Sequence, residues 1–148
     1  MRVNEIISNF SLRKSYDIMN DMENDYTNLP EDNEPIFEMA NLVQSQTGVD
    51  GIIHISTKHA SHGPRVKYYF GKPSQGRSFS VSISSNPKVV AIANSLTEKE
   101  VNGMAPLVIT WVRLNHEKLE TFWNTGTDLT SIEVNDFIKS LTRYSYES

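Results

Sequence analysis

The chain has 148 residues, 38% of them apolar and 22% charged, a globular composition of single-domain size. It contains no cysteine, which excludes disulfide frameworks, thiolate metal sites and cysteine nucleophiles. The formal charge of −4 speaks against a uniformly basic nucleic-acid binder. No apolar run approaches the length of a signal peptide or a membrane span, so a soluble cytoplasmic protein that does not engage membranes is expected.

Taken in chain order, Val3, Ile6, Ile7 and Phe10 recur at helical spacing, and Tyr16, Met19 and Met22 continue an apolar stripe. Met22 to Pro35 loses that period and reads as a loop. Ile36 to Gln46 reads as a short amphipathic helix stopped by Gly48. Gly51 to Thr57 then begins a run of strands. Arg65 to Phe70 alternates Val66, Tyr68 and Phe70 against Arg65, Lys67 and Tyr69, and Ser78 to Ser84 sets Phe79, Val81 and Ile83 against serines. A strict period of two predicts half-buried antiparallel strands, joined here by a hairpin loop over Gly71 to Arg77. Lys88 to Ala93 is a fourth candidate strand.

The last third is helical. Thr97 with Glu100 and Thr130 with Glu133 have capping-box spacing, in which hydroxyl and carboxylate satisfy reciprocal backbone donors. Val101, Met104, Leu107, Val108, Trp111 and Val112 mark one apolar face, with Pro106 predicted to kink or restart the helix. Asn115 is a candidate cap for a further turn ending at Gly126, and Val134, Phe137, Ile138 and Leu141 point inward from the final helix. Trp111 and Trp123 read as core. Segregated runs of this kind define an α+β fold: a three- to four-stranded antiparallel sheet with C-terminal helices packed on one face. Residues 1–48 read as an N-terminal helical and acidic extension, and residues 49–148 as the α+β core domain.

Charge is segregated along the chain. Tyr16 to Thr57 holds nine acidic residues and no Lys or Arg. Gly51 to Thr97 holds six basic residues and no acid: Lys58, Arg65, Lys67, Lys72, Arg77 and Lys88. If Val66, Tyr68 and Phe70 face the core, Arg65, Lys67 and Tyr69 share the opposite, water-facing side. A cationic sheet face suits an acidic protein surface or nucleic acid. Lys58, His59, His62, Arg65, Lys67 and Tyr69 are therefore the candidate binding residues. The acidic N-terminal block is a candidate mask for that face, and the N-terminal helix a candidate homo-oligomer contact.

His59 and His62 with Arg65 are also the candidate catalytic set, because RNA cleavage needs a proton-transfer pair and a cation for developing charge. The alternative is an ordinary polar loop. No Asp or Glu near these histidines completes a metal shell, so no metal or cofactor is expected. Gly71-Lys72-Pro73-Ser74-Gln75-Gly76-Arg77-Ser78 has phosphate-loop spacing, but Arg stands in place of Lys and a strand follows where that motif requires a helix.

His59-Ala60-Ser61-His62-Gly63-Pro64-Arg65-Val66, the strand Phe79 to Ile83, and Leu114-Asn115-His116-Glu117-Lys118-Leu119 through Phe122-Trp123-Asn124 together resemble a small bacterial family of unknown function. The resemblance covers about residues 59–126. It implies a regulatory or defence-related role, since such relatives are commonly encoded in toxin–antitoxin-like or mobile-element neighbourhoods. Arg65-Val66-Lys67 stands where a second histidine pattern is usual. Three functions are therefore carried forward: a non-catalytic binding module, a toxin-like RNA-directed nuclease, and a structural or accessory phage protein.

Overall fold

The computed structural model describes Tyr26 and residues 28–31, 40–58 and 62–145. The N-terminal helix expected over Val3 to Met22 lies outside the described residues.

Five strands form one antiparallel sheet in simple sequence order, each pairing with the next. They are β1 (Ala40–Leu42), β2 (Ile52–Ile55), β3 (Arg65–Tyr69), β4 (Ser78–Ser82) and β5 (Val89–Ile92). This corrects the expected count of three or four. The added strand, β1, lies inside the segment expected to be a helix from Ile36 to Gln46. There, Ala40 and Leu42 stand opposite Ile55 and Ile53, so pairing to β2 overrides a helical pattern too short to hold itself. Among the described residues of that segment one turn of helix is present, α1 (Gln44–Thr47). Gly48 stops it as expected, at φ 82°, and a Cβ there would strike the backbone of Tyr144. The boundary anticipated at 48/49 falls between β1 and β2, which are paired in the same sheet.

Strand alternation sorts the sheet into two faces. Val66 and Val81, then Tyr68 and Phe79, stand opposite one another across β3 and β4, with Ile53 beside Tyr68 on β2. This apolar side carries the main core cluster, which also takes in Val101, Ala105, Val108, Trp111, Val112, Leu119 and Phe122 of α2 (Glu98–Thr125). Trp111 is completely buried and Trp123 nearly so. Each large side chain so buried contributes roughly 1.5–3 kcal/mol through removal of apolar surface from water.

α2 is continuous over 28 residues, so the helix neither restarts after Pro106 nor breaks at Asn115. Pro106 is exposed, on the side away from the sheet, while Ala105 and Val108 beside it are buried; packing along both flanks outweighs the lost hydrogen bond. Asn115 is a tether, not a cap. Its Nδ2 donates to the carbonyls of Trp111 and Thr142, both at 2.9 Å, and its Oδ1 accepts from Thr142 N–H at 2.7 Å. That buried amide pins the C-terminal tail beyond α3 (Ser131–Ser140) onto α2. The tail also reaches α1, where Tyr144 N–H donates to the Thr47 carbonyl at 2.7 Å. Both capping boxes form: the hydroxyls of Thr97 and Thr130 accept from Glu100 and Glu133 N–H at 3.1 and 3.2 Å.

The β3–β4 hairpin folds as anticipated, through a 3-10 turn at Pro73–Gln75 flanked by Gly71 and Gly76 at positive φ. Its last residue, Arg77, reaches the N-terminus of α2, where Nη2 lies 2.7 and 2.9 Å from the two Glu100 carboxylate oxygens. Glu100 also accepts from Thr97 N–H at 2.9 Å. That backbone hydrogen bond first, and the Arg77 contact second, hold the Glu100 carboxyl below the ordinary carboxylate range.

Two outcomes are expected. Asn115→Ala should lower unfolding free energy by about 2–3 kcal/mol in urea denaturation, because it orphans buried backbone groups. A folded-state carboxyl that is more acidic than its unfolded counterpart contributes stability above the unfolded value of about 4.3, lost as pH falls through the folded one. Thermal melts should accordingly show Glu100→Gln less stable than the parent at neutral pH. The difference should shrink on acidification below about pH 4.

Candidate binding surface

The polar side of the sheet has a defined register. Asn41, His54, Lys67, Ser80 and Ala91 form one continuous row across all five strands, each standing opposite the next. His54 Nδ1 donates to Asn41 Oδ1 at 2.7 Å. Ile52, Tyr69 and Ser78 form the adjacent row.

This side was expected to face water. It does not: Lys67 is 8% exposed, Tyr69 1% and Ser80 0%. Period-two alternation separates the two sides of a sheet, but it reports polarity and not exposure, so a buried polar layer carries the same pattern as a solvated one. A cation buried at this depth is stable only with charge or hydrogen-bond compensation.

The exposed part of the basic block is elsewhere. Antiparallel pairing puts the start of β3, the end of β4 and the start of β5 at one end of the sheet. Arg65 stands opposite Ser82, Ser82 N–H donates to the Lys88 carbonyl at 2.9 Å, and Ile83 N–H donates to the Pro64 carbonyl at 3.0 Å. The β2–β3 and β4–β5 connections therefore lie side by side, bringing Lys58, His62, Arg65 and Lys88 to that end. Lys58 and Lys88 are exposed, and His62 and Arg65 half-buried. Lys58 N–H donates to the Trp123 carbonyl at 2.7 Å, which docks the β2–β3 connection on the C-terminal end of α2. Cations are favoured there by the negative end of the helix dipole.

His62 packs its ring against Trp123, with centroids 5.7 Å apart and planes tilted by 33°. Its Nδ1 donates to the Gly63 carbonyl at 2.8 Å, which fixes the ring as part of the turn. His59 lies outside the described residues. Of the remaining basic residues, Lys72 is exposed at the opposite, hairpin end, where Arg77 is engaged with Glu100.

The structure thus places Lys58, His62 and Arg65 at one end of the sheet, whereas Lys67 and Tyr69 lie inside the buried rows. Lys88 was missed as a site residue. Its charge was visible in the sequence, but only strand register places it at the same end of the sheet as Arg65, across Ser82. Among the described residues no three metal-ligating side chains converge, and no helix is long and apolar enough to cross a membrane.

No family model, curated protein or solved structure matches the chain, and nothing among these comparisons bears on the resemblance over residues 59–126.

Proposed function

We propose that this chain is a non-catalytic binding module that engages an anionic surface through the basic end of its sheet. The observation that carries the reading is the placement of Lys58, His62, Lys88 and, at the start of β3, Arg65 at one end of the sheet, within a stretch from residue 51 to 97 that contains no acid. Cations gathered in this way raise the local potential and steer an anionic partner. An acidic protein surface and a single-stranded nucleic acid share the chemistry that such a patch recognises. A toxin–antitoxin, defence or phage setting suits a small recognition module of this kind.

The acidic block from Tyr16 to Thr57 is, in this reading, an internal competitor for the same cations. Eight of its nine carboxylates precede β1 and are tethered at high effective concentration to the surface they would mask; the ninth, Asp50, lies in the β1–β2 connection at the opposite end of the sheet.

The test is fluorescence anisotropy with a labelled single-stranded RNA and, separately, a poly-glutamate peptide, across a salt series. A Lys58→Glu, Lys88→Glu variant alters only exposed side chains and should fold normally. For RNA it is expected to bind about tenfold more weakly, with a salt slope shallower by about 1.4, two contacts' worth for a single strand. Undiminished affinity for both probes would remove the proposal. Neutralising Asp17, Asp21, Glu23 and Asp25 to amides in the full chain should tighten binding at low salt. No change would remove the masking idea while leaving the surface intact.

A further inference from the structure

A second surface, far from the basic loops in character, runs between the C-terminal half of α2 and α3. The two helices enclose an open groove of about 580 Å³. Phe122 and Phe137 line it, stacked with centroids 4.7 Å apart and planes 14° from parallel, together with half-buried Leu129. Glu117, Glu133 and Asp136 also line it. The one lysine along it, Lys118, donates Nζ to the Ser140 carbonyl at 2.6 Å and so serves as a strap between the helices.

Two exposed apolar side chains extend this groove. Leu114 is 52% exposed and Ile132 71%, two of the three large hydrophobic residues in that condition among the described residues. Leu114 shares an α2 stripe with Lys118, Thr121 and Thr125, at i+4, i+7 and i+11. Ile132 shares an α3 stripe with Asp136 and Ser140. Because Lys118 meets Ser140 and Phe122 meets Phe137, the helices run antiparallel, and Leu114 and Ile132 fall at opposite ends of the groove.

We infer that this groove docks a basic amphipathic helix of a partner protein. The inference stands on three features: an aromatic floor, exposed apolar residues at both ends, and a carboxylate-lined wall whose sign selects cationic flanks. From Leu114 to Thr125 the groove is about 16 Å long at 1.5 Å per residue, which fits roughly three turns of helix. A ligand confined to the central cavity would leave Leu114 and Ile132 in water, whereas a three-turn helix with apolar residues at i, i+4, i+7 and i+11 covers both. The carboxylates then meet Lys or Arg beside the apolar stripe, an arrangement that gives specificity and association rate. This surface is opposite in sign to the basic sheet end and borders it at the C-terminal end of α2, where Lys58 N–H meets the Trp123 carbonyl.

The experiment titrates the ¹⁵N-labelled full chain with a leucine–lysine peptide of about four helical turns, its leucines at helical spacing. The expected result is saturable shifts of amides between residues 114 and 140. Affinity should fall at least about tenfold in Leu114→Glu, Ile132→Glu, which removes the apolar contacts at both ends, and in Glu117→Lys, Asp136→Lys, which reverses the charge facing the lysines. These side chains are exposed, so circular dichroism and thermal melts should match the parent. The same peptide with glutamates for lysines should not bind. Shifts that map elsewhere, equal binding of the glutamate peptide, or saturation by tetraphenylphosphonium without response to the peptide would each overturn the inference. So would a parent dimer, seen by light scattering, that the Leu114→Glu, Ile132→Glu variant dissolves, because a second copy would then own the groove.

Discussion

The packing of one long helix on one side of one sheet is the constraint on which everything else rests. α2 carries Val101, Ala105, Val108, Trp111, Val112 and Leu119 along its inner stripe, and these share a core with Ile53, Val66, Tyr68, Phe79 and Val81. Because strand side chains alternate, committing Val66 and Tyr68 to that core commits Arg65, Lys67 and Tyr69 to the other side. A slip of one residue in β3 would drive Arg65, Lys67 and Tyr69 into the helix interface. Apolar packing and the position of the cations are therefore one decision, fixed by the register of β3 against β4.

That decision has two consequences for function. It buries a polar row through the middle of the sheet, with His54, Lys67 and Ser80 abreast. It also forces the connections on either side of β3 and β4 to emerge side by side, which creates a basic patch from residues separated by thirty positions between Lys58 and Lys88. The patch consequently depends on topology and not on any short motif. Further along the helix, the same α2 that covers the sheet turns its outer stripe toward α3 and forms an acid-lined groove with Phe137. One helix thus links two surfaces of opposite sign.

Much of the architecture was legible in the sequence because it is written in local periodicities. The alternation at Arg65 to Phe70 and Ser78 to Ser84, the threonine–glutamate pairs at 97/100 and 130/133, and the stop at Gly48 all act over a few residues. β1 was not legible. Ala40-Asn41-Leu42 is too short to show a period and becomes a strand only because β2 offers an open edge. The continuity of α2 through Pro106 was hidden for a similar reason, since packing against the sheet outweighs a local breaker. The candidate site was half visible. Lys58, His62 and Arg65 are close in sequence and stay close in space, but the burial of Lys67 and Tyr69 and the arrival of Lys88 are long-range facts.

The sharpest measurement is amide chemical-shift mapping of the labelled full chain during titration with a short single-stranded oligonucleotide and, in parallel, with poly-glutamate. The account requires that perturbations from at least one of them gather at Lys58, at His62 to Arg65 and at Ser84 to Lys88, and that they fade as salt screens the charges. Perturbations centred on the hairpin around Lys72 and Arg77, or scattered without regard to strand register, would contradict it.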